Sequence, residues 1–224
     1  MKSIIVPLQA TGLAFVVLML QGPLVRCGEN APAPKGALNR DLQQELLRRY
    51  REDQQARTEL IDWMKSQKVQ APAQAKRQEF PAAQKLRAID RANTQRMKEI
   101  VARYGWPGSS LVGKDGANAA WLLVQHADAD RAFQRECLRL MEQAAAKGEV
   151  SKTDLAYLTD RVLVGEGKKQ RYGTQAHEVN GRFEPSPIED PANVDKRRAE
   201  VGLQPLAKYM EQIQKTYGPA GPKK

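Results

Sequence analysis

The chain has 224 residues, a formal net charge of +10 and a pI near 9.7, with 41% hydrophobic and 28% charged residues. This length suits one ordinary domain with a sizeable core, plus tails. Two cysteines exclude a disulfide framework and a cysteine-based zinc site. The basic balance makes the folded surface attractive to anions such as nucleic acid, lipid headgroups and envelope polymers.

At the N-terminus, Lys2 precedes an uncharged run from Ser3 to Val25 whose densest part is Leu13 to Leu20. That apolar core is short for a membrane span and fits the central region of a secretory signal, with Gln21-Gly22-Pro23 breaking the helix after it. Residues 1–27 therefore read as a signal peptide or an N-terminal anchor. Val25-Arg26-Cys27 offers a cleavage site before Gly28. Arg26 stands where a small residue would be needed for lipid attachment to Cys27. Residues 28–37 read as a linker rich in proline and alanine, and the expected location is extracytoplasmic.

A helix is expected from Leu38, carried by Leu42, Leu46 and Leu47 and further on by Leu60, Ile61 and Met64. Residues 66–84 have no usable period and contain Pro72 and Pro81, which predicts a flexible insertion. A second helix runs from about Ile89 to Tyr104 on a stripe of Met97, Ile100 and Val101. The glycines of "YGWPGSSLVGKDGAN" predict a structured loop, with Asn118 as N-cap of the next helix. Asp130 caps a further helix closed by Gly148, where Cys137 shares a stripe with Phe133, Leu140 and Met141 and reads as a buried thiol. Ser151 and Asp154 resemble a capping box before Leu155, Leu158 and Val162.

After Gly165 the pattern becomes extended, and Asn180-Gly181 between two runs is a strong hairpin signal. Gly173 within the first run predicts a bulge or a close backbone approach. Asp190 and Pro191 open another helix that stops at Gly202, a last one spans about Pro205 to Tyr217, and residues 219–224 form a basic tail. The fold class is α+β, mainly α-helical: a single domain over residues 38–218 with one β-hairpin near residues 169–188.

Three blocks, "YGWPGSSLVGKDGANAAWLLVQHADAD", "YLTDRVLVGEGKKQRYGTQ" and "PIEDPANVDKRRAEVGLQPLAKY", resemble a bacterial family catalogued only as a domain of unknown function. The likeness covers roughly Asp90 to Tyr209, in the same order. It implies a shared fold and a shared set of polar positions, and no activity. His177 departs from the family pattern, which counts against a metal site built from both histidines.

The candidate site starts in "AWLLVQHADAD". A helix places Trp121, Gln125 and Asp128 on one face, and His126 stands at the end of a segment that otherwise reads as core. His126 either locks the packing by a buried hydrogen bond or acts as a general base. In the catalytic reading Asp128 or Asp130 orients the imidazole, and Thr174, Ser109 or Ser110 is the nucleophile. On a strand, Gln170, Tyr172 and Thr174 would share one face, with Arg171, Gly173 and Gln175 on the other. Gln125, Arg161, Gln170, Tyr172 and Gln175, with Trp106 and Trp121, form the expected ligand-binding set. Glu166, Glu189 and Asp190 flank the hairpin as carboxylates, though "PIEDP" reads more simply as a helix start.

No cofactor is expected, and no metal, for want of ligands at metal spacing. Nucleic-acid binding has the charge but no recognisable reader. The sequence thus reads as an exported bacterial protein that binds a small polar or anionic ligand or a protein partner, with contact to an anionic envelope surface open to it through its charge. A hydrolase using His126 as base and a structural cell-envelope protein are the alternatives.

Overall fold

The structure, a computed structural model, describes residues 38–66 and 81–218. The expected signal segment and linker, most of the insertion and the basic tail lie outside the described residues. Helix α1 (Arg40–Ser66) opens where the Asn39 carboxamide oxygen accepts the Leu42 N–H at 3.0 Å. Its inward stripe runs through Leu42, Leu46, Asp53, Arg57 and Leu60, all buried. Two charges therefore interrupt an otherwise apolar seam.

Helix α2 (Pro81–Tyr104) starts well before Ile89. Pro81 opens this helix instead of belonging to the insertion, because at the first turn its missing N–H would have no intrahelical partner anyway. Helix α3 (Ser109–Gln125) also starts earlier than the sequence predicts, so Asn118 lies inside it rather than capping it. The cap comes from far away in sequence: the Glu149 carboxylate accepts from the Ser110 N–H at 2.7 Å and the Ser109 hydroxyl at 3.2 Å. Gly113, at φ 70° and ψ 167°, breaks the helix after its first turn. From Ala119 to Gln125 every residue is buried, which makes α3 the central helix, flanked by α1 and α2.

Helix α4 (Arg131–Ala145) begins as expected, with the Asp130 carboxylate accepting the Phe133 N–H at 3.0 Å, and it buries Phe133, Cys137 and Met141. Burial pushes the Cys137 thiol far above its ordinary range, consistent with an inert core residue. Helix α5 (Lys152–Gly165) is capped by Ser151, whose hydroxyl accepts the Asp154 N–H at 3.0 Å, and it packs against α4.

The hairpin is present but short. Strands β1 (Ala176–Val179) and β2 (Arg182–Pro185) pair antiparallel, with Ala176 opposite Pro185 and Val179 opposite Arg182. Asn180 at φ 52° and Gly181 at φ 81° supply the two left-handed positions of its tight turn. Residues 170–175 are not a strand, so the expected alternation of Gln170, Tyr172 and Thr174 against Arg171, Gly173 and Gln175 fails. They coil around the carboxylate of Asp160 on α5, which accepts the N–H groups of Arg171 (2.7 Å), Tyr172 (3.1 Å) and Thr174 (2.9 Å) and the Thr174 hydroxyl (3.0 Å). The segment keeps a single bridge, Gln170 with Ile188, and between it and the hairpin the Asp160 carboxylate takes the backbone donors that a ladder would need. The expected close approach at Gly173 is real: a Cβ there would lie 2.9 Å from Leu206. A 3₁₀ turn (Pro191–Asn193), helix α6 (Val194–Glu200) and helix α7 (Leu206–Tyr217) complete the domain, with α7 against β2.

One core runs through α1 to α5 and α7, and a smaller cluster of Ala56, Leu60 and Leu86 joins α1 to α2. The architecture is mainly helical with one small antiparallel hairpin, as the sequence predicts.

The first turn of α5 carries a titratable load. Burial pushes the Asp154 carboxyl from 3.8 up to about 6, against hydrogen bonds from Ser151 and Asn118 that favour its charged form. The folded state then holds a proton that the unfolded chain has released, so stability is full below pH 4 and falls as pH rises through about 6. The shift corresponds to about 3 kcal/mol. Urea denaturation at a series of pH values from about 4 to about 7 should show wild type losing stability relative to Asp154→Asn by up to that amount across this window.

Candidate functional site at the end of helix α3

Helix α3 stops at His126, and the chain turns through Ala127 to Asp130 before α4 begins. The turn begins inside the molecule and surfaces at Ala129. Gln125 is fully buried, and the His126 side chain is 1% exposed. Polar groups placed there need partners, and two adjoining networks supply them to His126 and Asp128.

The first surrounds His126. Its Nδ1 lies 3.0 Å from Asp53 Oδ1 and 3.1 Å from Arg57 Nε. In one tautomer Nδ1 donates its proton to Asp53, and in the other it accepts from the Arg57 Nε–H. Arg57 also reaches both oxygens of Asp53 at 3.2 Å and donates from Nη2 to Asp90 Oδ1 at 2.6 Å. Burial opposes ionisation of Asp53, but His126 and Arg57 overcome it and hold the carboxyl well below its usual range. Asp90 shifts the other way: burial raises it, helped by the negative charges of Asp53 and Asp128, while Arg57 and His126 pull against the rise. Two carboxylates sharing one arginine are thus driven apart in acidity.

The second network starts at Asp128. Arg161 of α5 grips it through two nitrogens, with Nε at 2.9 Å, and Arg131 and Gln134 of α4 donate to the same carboxylate at 3.1 and 3.2 Å. These charges hold Asp128 down to about 2 even though burial pushes it up. Arg161 also donates to Gln175 Oε1 at 3.2 Å. Gln175 donates to the Thr174 hydroxyl, which donates to Asp160. An unbroken polar path therefore links the end of α3 to the coil around Asp160.

Several expected site residues meet here, but in roles that differ from the expected ones. Beside the imidazole stands Asp53 from α1, not Asp128 or Asp130; Asp128 serves Arg161, and Asp130 caps α4. Thr174 is fully buried with its hydroxyl committed to Asp160, which removes it as a free nucleophile. Ser109 and Ser110 bind Glu149 at the other end of α3, roughly 25 Å from His126 for a helix of this length. Trp106 lies at that far end too, whereas Trp121 sits one turn before Gln125. Gln170 holds the coil, donating to the carbonyls of Gln175 (2.8 Å) and Ser186 (2.7 Å). Tyr172 is half-buried and contributes its N–H to Asp160. Among the flanking carboxylates, Glu166 pairs with Lys168 and Arg135, and Asp190 pairs with Arg197. His177 is exposed on β1, apart from His126.

Sequence reasoning does not bring Asp53, Arg57 and Asp90 forward, although a signal for them exists. Asp53 and Arg57 fall in register with Leu42, Leu46 and Leu60, and Asp90 with Leu86, Asn93 and Met97. A charge on an apolar stripe marks a buried polar group. Asp53, Asp90 and His126 each offer a ligand atom, all within 4.8 Å of one another, a spacing that would suit a metal ion. The Arg57 guanidinium already bonds to all three and supplies the positive charge there, so a cation would have to displace it.

The fold and this polar interior define a class of protein: a mainly helical domain with a histidine–carboxylate–arginine cluster at its centre. Residues 40–220 match the model described as "Family of unknown function (DUF6624)", and the chain belongs to that family. No curated protein and no solved structure matches it.

Removing Asp53 takes from the buried Arg57 one of its two carboxylate partners and leaves it on Asp90 alone. Asp53→Ala is expected to cost about 3–5 kcal/mol in denaturant unfolding. In Asp53→Ala/Arg57→Met the under-paired cation is gone, Asp90 is free to take up a proton, and part of that loss should return. An additive double variant would show that the two side chains do not act as a pair.

Proposed function

We propose that this domain binds a small polar ligand carrying charges of both signs at the open edge of the cluster. One observation supports this reading above others. The Asp90, Asp128 and Arg131 side chains are 24%, 29% and 26% exposed, while Asp53, Arg57 and His126 behind them are closed off. A ligand ammonium beside Asp90 would relieve the repulsion that Asp53 and Asp128 impose on it, and Arg131 is placed to take a carboxylate. Isothermal titration with free amino acids and dipeptides tests this. Binding should weaken at least tenfold in Asp90→Asn and in Arg131→Gln, measured on protein whose circular dichroism shows the helical fold retained. Absence of heat for every zwitterion at millimolar concentration would refute the reading.

The alternative is hydrolysis with His126 as general base, and it is favoured by the 3.0 Å contact that aligns the imidazole on Asp53. Water would be the nucleophile, since Thr174 and the two serines are engaged elsewhere. Turnover of generic ester, phosphate or glycoside substrates that vanishes in His126→Ala, with the fold retained, would select it.

We further propose that the protein is exported, on the strength of the uncharged run from Ser3 to Val25 behind Lys2. Intact mass of the protein isolated from its own cells should show either loss of the residues before Gly28 or retention in the membrane fraction. A full-length cytosolic species would contradict export.

A further inference from the structure

In the last turn before His126 the helix buries side-chain polar atoms that the two networks do not reach. Gln125 is 0% exposed, and neither Nε2 nor Oε1 of its side chain has a hydrogen-bond partner among the described residues. Trp121, at 1% exposure, is in the same condition at its indole nitrogen. Both residues lie on one face of α3, four positions apart, with Asp128 three beyond.

The surroundings follow from the flanks. The Trp121 ring lies 5.8 Å from the Tyr157 ring, and Asp128 is held by Arg161. Tyr157 and Arg161 are themselves four apart on α5. Gln125 therefore stands level with the stretch of α5 between them, with the Tyr209 ring 6.2 Å beyond that of Tyr157. An indole N–H and both halves of a carboxamide, unpaired within one helical turn, are a costly arrangement that native interiors keep where something else completes the bonds.

We infer that Trp121 and Gln125 form an enclosed site between α3 and α5 for a small uncharged molecule that both accepts and donates hydrogen bonds. Water and a carboxamide-type organic ligand share that chemistry: an acceptor for the Trp121 N–H and the Gln125 NH₂, and a donor for the Gln125 oxygen. A charged ligand does not fit. Arg161 is already neutralised by Asp128, and the neighbouring Tyr157 and Tyr209 hydroxyls are raised by burial, the mark of surroundings that penalise charge. The inference is independent of the charged edge around Asp90.

The test uses the full chain. The indole N–H of Trp121 is assigned among the three tryptophans by its loss in Trp121→Phe. Water-to-amide cross-relaxation on wild-type protein then asks whether that proton sits beside a long-lived water, and native mass spectrometry asks whether an organic molecule stays bound, with acetamide as competing probe. A water cross-peak identifies water as the occupant. A retained mass displaced by acetamide identifies the organic one. Either supports the site, and in both cases Gln125→Met should abolish the signal and lower the denaturation midpoint. Absence of both signals in wild type overturns the inference, whatever the variant does, and a Gln125→Met protein with a raised midpoint would point the same way. Asp90→Asn should leave the Trp121 signal unchanged, so failure here is distinguishable from failure of the ligand-binding reading.

Discussion

The structure is organised around the problem of ending a helix inside a core. Helix α3 is buried along its last two turns, and where it stops Gln125, His126 and Ala127 are still buried before the chain reaches the surface at Asp128 and Ala129. Charge cannot be left alone in such a place, because desolvation would cost more than packing returns. So α1 brings Asp53 and Arg57, α2 brings Asp90, α4 brings Arg131 and Gln134, and α5 brings Arg161. The positions of four helices about α3 are tied to these pairings as much as to the apolar contacts beside them.

The segment from Gln170 to Gln175 depends on the same network at one remove. Asp160 gathers its N–H groups from below, and Arg198 holds its carbonyls from the other side, donating to the Tyr172 oxygen at 2.6 Å while lying 4.9 Å from the centre of the Tyr209 ring. The Tyr209 hydroxyl donates to the Thr174 carbonyl at 2.9 Å. Backbone that would be extended in isolation is bent into a coil, and that coil presents Gln175 to Arg161. The block "YGTQ" is thus a structural clasp whose last residue touches the candidate site.

Two kinds of polar group coexist around His126, and their difference bears on function. Asp53, Arg57 and His126 are closed off and mutually satisfied, which suits a cluster that aligns helices and holds an imidazole in one orientation. Asp90, Asp128 and Arg131 keep a partly open edge, and Asp90 is the carboxyl of this cluster whose ionisation its surroundings oppose. A rigid charged floor beneath a polar rim is how pre-organised sites are supported in general. Membership of the DUF6624 family names the fold's kin and leaves the chemistry to this geometry.

The sequence alone determined the helix-rich class, the tight turn at Asn180-Gly181, the caps at Asp130 and Ser151 and the burial of Cys137, because each rests on residues within a few positions of one another. It also brought forward His126, Asp128 and Thr174 as catalytic candidates and Gln125, Arg161, Gln170, Tyr172 and Gln175, with Trp106 and Trp121, as a ligand-binding set. Tertiary structure alone decided what those residues do. Glu149 caps a helix that begins far earlier in the chain, and Asp53 reaches His126 from 73 positions away. Asp160 turns an apparent strand into a coil. In each case a charged side chain selected its partner by proximity in the folded core, where low dielectric makes the pairing decisive, and no local spacing records which distant element will arrive there.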